Sequence, residues 1–436
     1  MSAIAQALRP HRIRRFGAVF REEGPRVAFA RAAAHLKMLA AGQGRTDLAR
    51  TSATGGSRFA FGSAWWDMAR DRAFHLTAPP ARAAGRRSVA VIGDLNLPQC
   101  RKYRVEQMDE IWAGLGIGYE YSHVEDIPRC REILQHATHL VFYRVRRSDL
   151  VSMYAYEARR LGLPILYDID DPLFSVSAYA RYSNLSELER PMARHFLDEA
   201  PLYLDAMNGA DALSFSTPGL LEHAARYSAR PAFLRRNFAD ARTLEAGAAA
   251  RRGAARRRGF TVALASGSKG HDADIEVARD GLCRFLAGGA DRWLLILGDL
   301  DKARFPEAVR PYIRSQGFAD YPRYLAALAE ADCLLLPLTD DPFNRCKSAV
   351  RAIDAAAVSV PVLASPVGDQ AGFVEDGRTG ILIRDDGWGE ALEALAGCPG
   401  EAAAMGRAAR TALEAHWTAR AEAPVVDPGL IDWVRE

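Results

Sequence analysis

Paired cysteines are missing from this chain. Its six cysteines stand far apart, at positions 100, 130, 283, 333, 346 and 398, with no Cys-x-x-Cys spacing. A disulfide framework and a structural zinc site are therefore not expected, and reduced thiols in a cytoplasm fit best. Long apolar runs are missing too. None approaches the ~18 residues that span a bilayer, and the apolar stretches near the N-terminus are short and broken by arginine, unlike a secretory signal. There is no Walker loop, no Ser-His-Asp order and no metalloprotease helix. His123, His136 and His139 have no partner spacing that singles them out. The first strand turn is Gly93-Asp94-Leu95-Asn96, not Gly-x-Gly-x-x-Gly, which argues against a nicotinamide dehydrogenase.

What remains is an ordinary globular composition, with 49% apolar and 25% charged residues over 436 positions. That length suits roughly two to three domains. The net charge of +3 hides an asymmetry. Residues 1–87 carry 16 Lys and Arg against 5 Asp and Glu, and the rest carries 41 against 49. A basic head on an acidic body suggests an anionic surface as its partner. In the head, Ile13, Phe16 and Phe20 fall on one helical face, ringed by Arg12, Arg14, Arg15 and Arg21. Gly24-Pro25 breaks that helix and a second follows. The expectation is that residues 1–60 lie on an anionic membrane surface, at the inner face of a membrane. The alternative is a helix packed on the body with its arginines in water. No nucleic-acid partner is expected.

From Ser88 onward strands alternate with helices. Expected strands are Ser88 to Ile92, Thr138 to Tyr143, Pro164 to Tyr167 and Ala212 to Phe215. After an Ala/Arg/Gly stretch at 239–258, expected as a linker or solvated helix, they resume at Phe260 to Ala265, Trp293 to Leu297, Cys333 to Pro337 and Pro361 to Ala364. This alternation predicts two α/β domains, each with a parallel sheet covered on both faces. The expected division is a basic helical extension (1–87), a Rossmann-like domain (88–238), a linker (239–258), a second Rossmann-like domain (259–415) and a tail (416–436). Facing domains of this kind bind ligands in a cleft at the carboxyl ends of their strands.

The most informative stretch is DPFNRCKSAVRAIDAAAVSVPVLASPVGDQAGFVEDGRTGILI, residues 341–383. A polar loop opens a helix of small residues, a buried strand follows, then a glycine loop and another apolar run. Asn344, Lys347 and Ser348 stand at the start of that helix, whose amides favour an anion. Arg351 is one turn beyond Lys347 on nearly the same face, and Asp354 lies three residues further. Earlier, Gly267-Ser268-Lys269-Gly270 follows a strand and offers close backbone approach plus one ammonium. Asp168-Ile169-Asp170-Asp171 ends another strand. No histidine lies nearby to complete a metal site, so its carboxylates are expected to orient acceptor hydroxyls or hold a basic neighbour such as Arg104 or Arg144.

Five strings in order carry a family resemblance: CRKYRVEQMDEIWAGLGI (100–117), YDIDDPLF (167–174), SGSKGHDADI (266–275), FNRCKSAVRAID (343–354) and DGRTGILI (376–383). Together they resemble the retaining glycosyltransferases of the GT-B fold, family four. The resemblance covers roughly residues 88–415. It implies a cytoplasmic enzyme that moves a sugar from a nucleoside diphosphate to a glycan, lipid-linked or other acceptor, without a metal or cofactor. Lys347 and Asp354 would be catalytic. Gly267, Ser268, Lys269, His271, Asn344, Ser348 and Arg351 would complete the donor site, and Arg104, Arg144, Asp168, Asp170 and Asp171 would lie on the acceptor side. Same-face attack, with the departing phosphate helping to deprotonate the acceptor, would retain the configuration. The chain departs from the family's two glutamates seven residues apart: these positions map onto Cys346 and Asp354. The rival reading is a non-catalytic scaffold of the same fold.

Overall fold

The computed structural model describes residues 80–255, 258–266 and 272–436, together with residues 20, 21, 24–26, 28–30, 32 and 33. The rest of the basic head expected to meet a membrane lies outside the described residues. Within it, the rings of Phe20 and Phe29 meet edge to face, 6.4 Å between centroids.

The body holds two six-stranded sheets, and every strand pairing in them is parallel. The first consists of β1 (Ser88–Gly93), β2 (Gly118–His123), β3 (His139–Tyr143), β4 (Ile165–Ile169), β5 (Ala212–Phe215) and β6 (Ala232–Leu234), in the order β2-β1-β3-β4-β5-β6. The second consists of β7 (Phe260–Ser266), β8 (Arg292–Gly298), β9 (Ile313–Gln316), β10 (Cys333–Leu336), β11 (Val362–Ala364) and β12 (Gly380–Leu382), in the order β12-β11-β10-β7-β8-β9. Central strands such as β4, β5, β7 and β10 are buried along their whole length. That is what near-continuous apolar runs such as CLLL and FTVALAS require, since helices cover both faces of such sheets. Each sheet reverses its strand order once, between β1 and β3 and between β7 and β10, and such switch points are where open α/β sheets hold ligands. At the first, a Cβ on Gly93 would come within 2.9 Å of the Tyr143 carbonyl oxygen. Only glycine lets the backbones approach that closely.

Two expectations change. The 239–258 stretch contains the helix Ala241–Gly253, which buries Thr243, Gly247 and Ala250. Gly247 packs so tightly on the second domain that a Cβ there would meet the Ala357 carbonyl oxygen at 2.3 Å. Its small residues serve contact, not solvation. The last residues are also structured: the helix Pro428–Arg435 buries Leu430 and Val434 in the first domain's core, with Val89 and Val91 of β1. The strands β2, β6 and β9 had no sequence signal. β2 is polar and only half-buried, and β6 and β9 are short and carry few fully buried positions.

Candidate functional site

In the first domain, the chain after β1 forms a π-helical turn, Lys102–Glu106, before the helix Met108–Gly114. Single π turns of this kind re-aim side chains. Arg104 turns inward, where Nη2 and Nε donate to the two Asp168 carboxylate oxygens at 2.7 and 3.1 Å. Arg235 donates to the same carboxylate from the other side, through Nη2 at 2.7 Å and Nε at 3.0 Å. Ser214 donates to it as well. Burial alone would push the Asp168 carboxyl up, but the two guanidinium groups outweigh it and hold the pKa below its ordinary value. Arg104 and Asp168 are 2% and 1% exposed. The pair expected on the acceptor side thus braces the interior of the first domain.

The rest of the acidic turn does lie at the strand ends. Arg144 follows β3 in the left-handed region, φ 51°, unusual for a side chain this large. Its Nη1 donates to Asp170 at 2.8 Å and to Asp171 at 3.3 Å. Tyr143 donates to the other Asp170 oxygen at 3.1 Å. Asp171 keeps 29% of its side chain exposed. Its pKa is raised, first by burial and then by Asp170, while Arg144 and Lys347 oppose the rise. Lys347 belongs to the second domain, so this edge and the donor-side turn share one electrostatic neighbourhood.

That turn is built on three carboxamide and carboxylate groups. Asn344 is fully buried, and its Nδ2 donates to Asp274 at 2.7 Å and to the Thr339 carbonyl at 3.0 Å. Asp341 accepts from the backbone N–H groups of Phe343 and Asn344, both at 2.9 Å, which winds the short helix Asn344–Cys346. Asn344 thus holds the turn in shape. Gly368, φ 63°, closes over it, and a Cβ there would lie 2.7 Å from the carbonyl oxygens of Asn344 and Lys347. The Lys347 ammonium donates to the Tyr182 hydroxyl at 3.1 Å and lies 3.9 Å from Asp274. Burial lowers its pKa, against the pull of Asp274 and Asp171. Ser348 accepts from Asn237 Nδ2 at 2.9 Å. The helix expected to open at Asn344 begins only at Val350, with Lys347 in extended backbone before it, so Lys347 and Arg351 do not share a helical face; Arg351 is half-buried and makes no hydrogen bond or ion pair among the described residues.

Asp354 takes a different place. It accepts from Tyr103 of the first domain and from Tyr321 of the second, the latter at 2.6 Å. Lys102 lies over both tyrosine rings, at 3.8 and 4.2 Å, and donates to Thr243 at 2.8 Å. The carboxylate expected at the donor ribose is therefore a clasp joining the two domains. Burial raises its pKa, against Lys102 and the two phenols. Cys346, at the other glutamate position, is 1% exposed, and burial pushes its thiol up to about 12. Its sulfur faces the carbonyl oxygens of Pro342 and Gly219, at 3.3 and 3.8 Å.

Gly267, Ser268, Lys269 and His271 lie outside the described residues. Asp274, Asp341, Tyr182 and Asn184 were not among the expected site residues. Asp274 and Asp341 stand inside or beside strings quoted above and could have been found there. Tyr182 and Asn184 reach the site across the fold, and no local pattern marks them. Among the described residues no group of three or more His, Cys, Asp or Glu could hold a metal ion.

The second domain carries a family signature. Residues 266–397 match the model for "Glycosyl transferases group 1". Over that stretch the chain is similar to the group 1 glycosyltransferases. Its fold is GT-B, with two Rossmann-like sheets whose carboxyl edges share the site just described. Among solved structures, the chain is similar to sucrose-phosphate synthase from Thermosynechococcus elongatus, with 15% identity over 77% of this chain and 96% of that one, at a TM-score of 0.52. It is also similar to a glycosyltransferase from Rickettsia africae, with 10% identity over 76% and 93%, at a TM-score of 0.50. At these identities the likeness is one of fold. Among curated protein sequences none matches the chain.

Proposed function

We propose that the chain is a glycosyltransferase that moves a sugar from a nucleoside diphosphate to a hydroxyl of a glycan or lipid-linked acceptor, with retention and without a metal. One observation carries this reading. Lys347, in extended backbone, and Arg351, in the first turn of the helix Val350–Ala357 that follows, stand near the carboxyl edge of the second sheet, and Arg351 makes no hydrogen bond or ion pair among the described residues. A half-buried guanidinium beside a desolvated ammonium favours an anion, and a diphosphate supplies charge enough for both. The leaving group of such a donor gains negative charge as the glycosidic bond breaks. Cations already in place stabilise that charge without reorganisation. Asp170 and Asp171, at the opposite edge, are placed to accept acceptor hydroxyls. Their charge, balanced by Arg144, favours a neutral polyol over a phosphorylated acceptor.

A thermal-shift panel of UDP, GDP, TDP, CDP and ADP, without metal, tests the donor assignment on wild type and Lys347→Ala. Stabilisation by one base that disappears in the variant is expected. No shift with any nucleotide at millimolar concentration would favour the scaffold instead. The peripheral membrane reading rests on the charge of residues 1–60. Among the described residues no helix is long and apolar enough to cross a membrane. Cosedimentation with anionic and neutral vesicles, with and without residues 1–60, checks it. Equal pelleting of the two chains removes it.

A further inference from the structure

Three consecutive residues of the first domain cross to the second and end on an ammonium, on the amides of a helix start and on two carboxylates. The Tyr182 hydroxyl oxygen accepts from the Lys347 ammonium at 3.1 Å. Asn184 Oδ1 accepts from the backbone N–H groups of Ala273 and Asp274, at 2.9 and 3.3 Å, the first amides of the helix Asp272–Ala287. Asn184 Nδ2 donates to Asp274 at 2.7 Å. Between them, the Ser183 N–H and hydroxyl donate to Asp341, at 3.1 and 3.2 Å. The Tyr182 ring stacks on Phe343 with centroids 4.1 Å apart and planes 16° apart.

Two of these contacts have the same form. A neutral oxygen of the first domain sits where the second domain presents positive charge: one on an ammonium, one on the amides of a helix start. Phosphate oxygens seek both kinds of group, and an ionised acceptor binds each more strongly than a phenol or a carboxamide does. The strap's other contacts make it local to this spot. Asn184 is 1% exposed and Leu185 7%, so the crossing is packed and not a loose surface loop.

We infer that Tyr182-Ser183-Asn184 is a displaceable strap whose oxygens take the place of the donor's diphosphate on Lys347 and on the helix start at Ala273. The inference rests on the donor assignment above. Donor binding lifts the strap, so the measured affinity is the intrinsic affinity reduced by the fraction of molecules with the strap raised.

The test is calorimetric titration of the full chain with the nucleoside diphosphate that gives the largest thermal shift, in wild type, Tyr182→Phe/Asn184→Ala and Lys347→Ala. Asp274 keeps Asn344 and the Thr339 N–H in the double variant, and a melting curve of each variant confirms that it is folded before titration. The double variant is expected to bind about tenfold more tightly, because the raised fraction grows. In wild type, amide hydrogen exchange across residues 176–187 is expected to rise when nucleotide is added. Unchanged or weaker binding by the double variant, with Lys347→Ala still impaired, overturns the strap and leaves the donor site standing. No binding by any of the three, the double variant included, overturns both.

Discussion

The two domains bury their cations in opposite ways. In the first, Arg104 and Arg235 converge on one carboxylate, Asp168, within 2.7 to 3.1 Å, and Ser214 joins them. In the second, Lys347 donates to a phenol at 3.1 Å and lies 3.9 Å from the carboxylate of Asp274, while Arg351 makes no hydrogen bond or ion pair among the described residues. Both centres lie close to the carboxyl ends of parallel strands, where this fold class binds ligands. Position in the fold therefore does not separate structural from functional charge here. Access does. Arg104 and Asp168 are closed off from solvent, with side chains 0% and 1% exposed, while Lys347 keeps 15% of its side chain exposed and can still meet an anion.

The largest expected effect breaks the first centre. Asp168→Ala leaves two buried guanidinium groups facing each other without a counter-ion. A loss of about 3–5 kcal/mol in urea unfolding is expected, the cost of orphaning a buried pair. Because the folded pKa of Asp168 is held below its unfolded value, its contribution is fully present above about pH 4. It is lost as pH falls through the lower folded value. A loss under about 1 kcal/mol in Asp168→Ala would show the cluster to be less committed than its geometry implies.

Breaking the second centre is expected to leave the fold nearly intact and remove the chemistry. Lys347→Ala should lower turnover by about 10², the scale of one leaving-group contact, with little change in melting temperature, since burial already disfavours the ammonium. Unchanged turnover with a large drop in melting temperature would move Lys347 into the same class as Arg104. The pH profile sharpens this. Burial lowers the Lys347 pKa, so the charged form disappears at lower pH than in an ordinary lysine. Nucleotide affinity should decline below the ~10.4 of a free lysine as pH rises, and this limb should be absent in Lys347→Ala.

Arg351→Ala is a gentler cut. The guanidinium has no internal partner to orphan, so stability should hold within about 0.5 kcal/mol. Nucleotide affinity should fall about tenfold, the value of one hydrogen bond to a charged group. Equal affinity would mean that the open side chain is an ordinary solvated arginine and that Lys347 carries the diphosphate without it.

Much of the layout was legible in the chain. Central strands announce themselves because parallel strands are buried on both faces and read as apolar runs, and the turn after β10 stood out because Asn344, Lys347 and Ser348 break such a run with polar groups. What stayed hidden depends on contacts far apart in the chain. Asp168 and Asp170 are two residues apart on one strand end. One saturates an interior cluster, the other faces Arg144 at the edge, and only the positions of Arg104 and Arg235 decide which. Asp354 looked like a ribose ligand by its spacing from Pro361, yet two phenols, one from each domain, claim it. Tyr182 and Asn184 carried no signal at all, because their meaning lies in residues about 90 and 165 positions away.

The smallest expected effect concerns Cys346, which occupies the position of the family's first glutamate. Its sulfur lies between two carbonyl oxygens, Pro342 at 3.3 Å and Gly219 at 3.8 Å. A thiol can donate weakly to either. A carboxylate there would face two acceptors with no donor, and the Gly219 backbone, already against the Arg345 carbonyl, leaves it no room to turn. The departure from the family pattern is thus a packing solution at the seam between the domains, not a relocated catalytic group. The thiol, held up at about 12, is neither nucleophile nor base at neutral pH. Cys346→Ala should therefore keep turnover within about twofold and cost on the order of 1 kcal/mol of stability. A tenfold loss of turnover at unchanged stability would place the sulfur in the chemistry and make this seam, and not Lys347, the centre of the donor site.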